Sequence, residues 1–110
     1  MPRASFASSI DASDTHVAVL LKALADPLRI DIVQALAEGE RCVCDLTETL
    51  GLAQSRLSFH LKVMRQAGVL RAREEGRWVY YRLEPEAVRQ LQHWLTTLES
   101  LSGRAAPVCR

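Results

Sequence analysis

The sequence predicts a mainly α domain carrying one β-hairpin, and three observations lead there. Apolar residues recur at helical spacing from Thr15 to Ala67. The period switches to that of strands between Val69 and Leu83, then returns to helical spacing after Pro85. Between two of the helical stretches stands Gly51-Leu52-Ala53, the right length for the tight turn of a helix-turn-helix.

Each element has its own signal. Val17, Leu20, Leu21 and Leu24 form one helical stripe over Thr15 to Leu24. Asp26 and Pro27 open a second helix as N-cap and first helical residue; Leu28, Ile32 and Leu36 recur in it and Gly39 ends it. A short third helix spans about Val43 to Leu50, stopped by Gly51. The fourth, about Gln54 to Ala67, buries Leu57, Leu61 and Met64 and is closed by Gly68. Val69 to Glu74 and Arg77 to Leu83 flank the turn signature Glu75-Gly76, with Trp78, Tyr80 and Tyr81 expected to pack the hairpin. The last helix starts near Pro85, and Val88, Leu91, Leu95 and Leu98 alternate spacings of three and four, which suits a helix–helix seam. The order is that of a winged helix-turn-helix with a flanking helix at each end. Residues 1–14 read as a polar, Ser-rich arm, 15–102 as the folded domain, and 103–110, with Pro107 and Cys109, as a mobile tail.

At 110 residues and 48% hydrophobic composition the chain suits one globular domain, small enough to gain from a dimer interface. No apolar run approaches the roughly 20 residues of a membrane span. The N-terminus lacks the basic start and apolar block of a secretory signal. The expected compartment is the cytoplasm, where three cysteines stay reduced and available as ligands. The net charge of +1 hides a polarity: residues 11–50 carry eight acids against three bases, whereas residues 51–82 carry seven bases against Glu74 and Glu75. A segregated basic surface suits a polyanion.

A DNA-reading helix needs an apolar inner face and hydrogen-bonding groups on its outer face, with short side chains near its N-terminus where the base edges lie. Gln54, Ser55, Arg56 and Ser58 meet that description; Lys62 and Arg65 suit phosphates, and His60 suits a backbone or phosphate contact or a packed polar role. Arg73 and Arg77 bracket the hairpin tip, where a wing would meet the neighbouring backbone.

Five motifs carry a resemblance. Asp26-Pro27-Leu28-Arg29, Cys42-Val43-Cys44-Asp45-Leu46, Gln54 to Lys62, Ala67-Gly68-Val69-Leu70 and Gly76 to Leu83 stand in order, and over Leu20 to Leu83 the chain resembles the bacterial ArsR/SmtB repressors, in their arsenic-responsive form. The resemblance implies a homodimer through the first and last helices, an inverted-repeat DNA operator, no cofactor for DNA binding, and an inducing ion that lowers DNA affinity.

Cys42 and Cys44 stand just before and just inside the third helix, where the helix N-terminus and Arg41 favour thiolates. Thiolates are soft ligands, and As(III) and Sb(III) take three sulfurs in a pyramid, so this pair supplies most of a site. Residues two apart in a regular helix point about 200° away from each other, so both sulfurs reach one ion only if the helix start is irregular or unwinds. Relatives with the fullest form of this box place a third cysteine where Thr47 stands; Cys109 is the remaining thiol in this chain, and a small thiol or water is the other source of a third ligand. A zinc site on the last helix would need paired His and carboxylate ligands, and only His93 with scattered acids is present. Three rival readings stay open: a repressor that senses oxidation through a disulfide, a thiol redox enzyme, and a winged-helix adaptor that binds only protein. The enzyme reading lacks a His or carboxylate pattern around the thiols beyond Asp45.

Overall fold

Among residues 12–109, which the computed structural model describes, five helices pack around a three-stranded antiparallel sheet. Helix α1 spans Ala12–Leu24, three residues earlier than its apolar stripe implies, so residues 12–14 of the expected arm are helical and the rest of that arm lies outside the described residues. Val17, Leu20 and Ala23 turn inward, while Leu21 is 39% exposed, because α1 packs along one side only. Asp26 caps α2 (Pro27–Ala35) as expected: its Oδ1 accepts from the amides of Leu28 at 2.8 Å and Arg29 at 3.4 Å. The chain leaves α2 at Leu36, earlier than Gly39, and a turn through Gly39 and Glu40 leads into a two-residue strand, β1 (Arg41–Cys42).

Helix α3 (Val43–Leu50) ends on Gly51, whose φ of 65° is a left-handed conformation that favours glycine. The chain can therefore turn at once into α4 (Gln54–Ala67), the second arm of the helix-turn-helix. Leu46 from α3, Leu57, Leu61 and Met64 from α4, Leu20 from α1, and Ile32 and Leu36 from α2 and its end are each under 3% exposed and form one core. Burial of each such side chain contributes about 1.5–3 kcal/mol, so the core fixes how α4 is presented.

Strands β2 (Leu70–Glu75) and β3 (Trp78–Leu83) pair with Glu75 opposite Trp78, so the two-residue turn is Gly76-Arg77, one position later than the sequence signature suggests. Gly76 has φ 61° and Arg77 is not in the positive-φ region, the pattern of a II′ turn. Arg77 is thus the wing tip itself. The sheet order is β1-β3-β2, with Cys42 opposite Tyr80 and Arg41 opposite Tyr81. No periodicity announces β1, since two residues are too few to show one. Helix α5 (Pro85–Ser102) buries Ala87, but Val88, Leu95 and Leu98 are 49%, 57% and 45% exposed along one stripe of this single chain.

Candidate DNA interface and thiol pair

Helix α4 turns Leu57, His60, Leu61 and Met64 inward and leaves Gln54, Ser55, Arg56, Ser58 and Lys62 exposed. Five of the residues expected to face DNA therefore share its solvent face. His60 does not. It is 7% exposed, and its Nδ1 accepts a hydrogen bond from Arg29 Nε at 3.1 Å. Arg29 also donates to the carbonyl of Ala23 at 3.3 Å, so this pair pins α4 to α2 and to the end of α1. His60 is a packed polar residue, and the reason is helical phase: it lies one residue before Leu61 and three after Leu57, both core residues. The Asp26 carboxyl stands close by. Partial burial pushes its pKa up, but hydrogen bonds from the Leu28 and Arg29 amides, with the charge of Arg29, hold it below the ordinary value.

The wing divides the same way. Arg77 is exposed at the tip, its guanidinium 5.8 Å from the Trp78 ring. Arg73 is already engaged. It donates to Glu40 Oε1 at 2.8 Å and Oε2 at 3.2 Å, pairs with Glu75, and lies 4.6 Å over the Tyr80 ring. Its hydrogen bonds hold the Glu40 carboxyl below the usual carboxylate range and raise the Arg73 pKa in turn. Arg73 thus clamps β2 across β3 to the residue preceding β1. Arg71 is likewise paired, with Glu84 at 2.6 Å. Arg56, Lys62, Arg65, Arg77 and Arg82 make no ion pair among the described residues, so the unpaired positive charge of the basic segment lies on α4, at the wing tip and at Arg82 on β3.

The thiol pair sits where β1 becomes α3. Cys42 is the N-cap of α3, with φ −79° and ψ 159°, and Cys44 is the second helical residue. Because Cys42 is extended, the divergence of residues two apart in a helix does not apply. The Cα atoms are 5.4 Å apart and the two sulfurs are joined as a disulfide. The irregular helix start is thus built in, and unwinding is not required to bring the sulfurs together. Cys42 Sγ also accepts from the Asp45 amide at 3.3 Å, as an N-cap side chain does. Arg41 is anchored by Thr49 Oγ1 at 2.9 Å and stands 3.7 Å from Asp45.

Thr47, at the position of a potential third ligand, donates its hydroxyl to the Cys44 carbonyl at 2.8 Å and is committed to the backbone. Cys109 is a free, exposed thiol beyond α5, not joined to the pair. Among the described residues no three His, Cys, Asp or Glu side chains cluster to hold a metal, and no helix is long and apolar enough to cross a membrane. Cys44 lines a groove of about 400 Å³ together with Gln54 and Ser58 of α4 and Arg77 and Trp78 of the wing. Sequence reading missed this juxtaposition, and missed Glu40 and Arg29 as the anchors of Arg73 and His60. Their partners are 33 and 31 residues away, and no local pattern reports such pairs.

Residues 26–72 match the family model described as bacterial regulatory protein, arsR family. The chain is 49% identical over 69 residues to the arsenic resistance transcriptional regulator ArsR1 of Pseudomonas putida, a match covering 62% of this chain and 54% of that one. It is 45% identical over 71 residues to the arsenical resistance operon repressor of Bacillus subtilis, covering 64% and 68% respectively. Among solved structures, HlyU from Vibrio cholerae superposes with a TM-score of 0.68 at 31% identity, covering 80% of this chain and 97% of that one. The chain spans about half the length of the first of these curated relatives. With the helix-turn-helix, the wing and the sequence matches in agreement, the chain belongs to the ArsR family of bacterial regulatory proteins, which are transcriptional regulators rather than enzymes.

Proposed function

We propose that the protein is a dimeric transcriptional repressor that binds an inverted-repeat operator and is released when As(III) or Sb(III) is captured by Cys42 and Cys44. The observation that carries this reading is the position of the pair: Cys42 belongs to the wing sheet through its pairing with Tyr80, and Cys44 lines the groove between α4 and the wing. A ligand on both sulfurs therefore acts on the reading helix and the wing together, the two parts that touch DNA. Two thiolates at a helix N-terminus fit a soft trivalent ion, and the third bond falls to Cys109, a cellular thiol or water. The names of the P. putida and B. subtilis relatives support an arsenic-type inducer.

Dimerisation is supported by the exposed apolar stripe on α5, Val88, Leu95 and Leu98. Two copies joined there would place two α4 helices about one DNA turn, 34–36 Å, apart.

The experiment is a titration of the reduced protein with arsenite while release of an inverted-repeat duplex is followed. Release at about one equivalent per protomer is the expected result; DNA binding that ignores arsenite overturns the inducer. A second reading is favoured by one observation, the disulfide between the two cysteines. In it, an oxidant such as peroxide takes two electrons from the two thiols, two protons are released, and the disulfide is the trigger. Mass measurement separates the two: arsenite adds arsenic, whereas peroxide removes two hydrogens per protomer.

A further inference from the structure

We propose that Phe59 is a sequence-reading residue whose ring contacts the 5-methyl group of a thymine in the major groove. The inference rests on the reading of α4 as the helix that enters the groove, and it adds a residue that the polar pattern of that helix does not suggest. The buried side of α4 is Leu57, His60, Leu61 and Met64. At 3.6 residues per turn the direction opposite their mean falls among Ser55, Phe59, Lys62 and Gln66, all exposed. Phe59 therefore stands in the middle of the outward face, on the second turn, between Ser55 one turn earlier and Lys62 nearly one turn later. Gln54 and Ser58 lie to one flank, towards the wing groove.

The ring is 59% exposed and belongs to neither the hydrophobic core nor the α5 stripe. It is nevertheless held. It meets the His60 ring edge-to-face, with centroids 5.4 Å apart and planes at 73°, and His60 is itself fixed by Arg29. A large apolar group, with one contact to a fixed neighbouring ring, is thus presented on the face assigned to DNA. A phenyl ring makes no conventional hydrogen bond to a base edge. In the major groove the group that suits it is the C5-methyl of thymine, which the other three bases lack. Ser55 and Lys62 on either side provide polar contacts that keep the ring at the base edges.

The test uses the full chain. Duplexes are selected from a randomised inverted-repeat library, and each thymine of the selected duplex is then replaced by uracil, which removes only the methyl group. The wild-type protein is expected to lose about fourfold in affinity for one such replacement, the worth of one buried methyl, and about 15-fold for the symmetry-related pair. Phe59→Ala is expected to bind the thymine and uracil duplexes alike. A measurement that needs no variant accompanies this: 5-iodouracil at the same position, irradiated in the wild-type complex, is expected to crosslink to Phe59, as located by peptide mass spectrometry. Indifference of the wild-type protein to every uracil replacement overturns the proposal, as does a methyl dependence that survives in Phe59→Ala, or a crosslink at another residue. If the wild-type protein selects no sequence at all, α4 is not the reader and the proposal falls with that reading. Selection without methyl dependence leaves the reading of α4 intact and removes Phe59 alone.

Discussion

Cys109 is the thiol whose contribution the geometry limits most sharply. Cys42 and Cys44 are already together at the N-cap of α3, Cα–Cα 5.4 Å, so closing a chelate there orders no additional chain. Cys109 follows Gly103 through a segment without regular structure, next to Val108 at 88% exposure. Bringing its sulfur to either protomer's pair means fixing the backbone from Gly103 to Cys109, at about 1–2 kcal/mol per residue, or about 7–14 kcal/mol in all. A third arsenic–sulfur bond offsets part of that cost, but a cellular thiol supplies the same bond without ordering the tail. Cys109→Ser should therefore shift the arsenite midpoint for operator release by less than about tenfold, the equivalent of 1.4 kcal/mol. Cys42→Ser and Cys44→Ser should each raise it by more than about 100-fold, since one thiolate forms no chelate. The assay is fluorescence anisotropy of a labelled inverted-repeat duplex, titrated with arsenite in the presence of glutathione. Loss of response in Cys109→Ser equal to that in the other two would make Cys109 an obligatory ligand and refute the two-thiol argument. A normal response in Cys42→Ser would refute the site.

Arg77→Ala should weaken binding to all duplexes alike and lower the log–log salt slope by about one, whereas Arg73→Ala should leave the slope unchanged, because Glu40 and Glu75 already hold Arg73; equal slope losses would contradict the division of the wing. Leu95→Glu places a charge in the middle of the exposed α5 stripe and should yield a monomer by sedimentation, with weakened operator binding; a dimer that persists would locate the interface elsewhere. Acid should destabilise the fold: Glu40, hydrogen-bonded by Arg73, and Asp26, where backbone hydrogen bonds outweigh partial burial, both have folded-state pKa values below their ordinary ones. The unfolded chain then binds more protons as pH falls, so their contribution is present at neutral pH and is lost progressively as pH falls below the ordinary values, 4.5 for Glu40 and 3.8 for Asp26. Urea midpoints measured from pH 6 to pH 3 should show this, and Glu40→Gln should flatten the fall; an unchanged profile in that variant would show that the Arg73–Glu40 pair contributes nothing.

The helix order, the hairpin and the N-cap at Asp26 were legible in the sequence because each is decided within one or two turns of chain, by apolar period, by glycine and proline, and by a short polar side chain before a helix. The exposed residues of α4 and the placement of the two cysteines at the start of α3 follow from the same local rules. Tertiary structure decided which basic residues are available. Arg73 and Arg77 look alike along the chain, yet one reaches a carboxylate 33 residues away and the other stands on the turn. It also decided that His60 faces inward to Arg29, that Phe59 is left outward, and that Cys42 belongs to the wing sheet through a two-residue strand. Contacts between segments far apart in sequence depend on how the helices and sheet pack, and a strand of two residues exists only because β3 supplies the partner for its backbone.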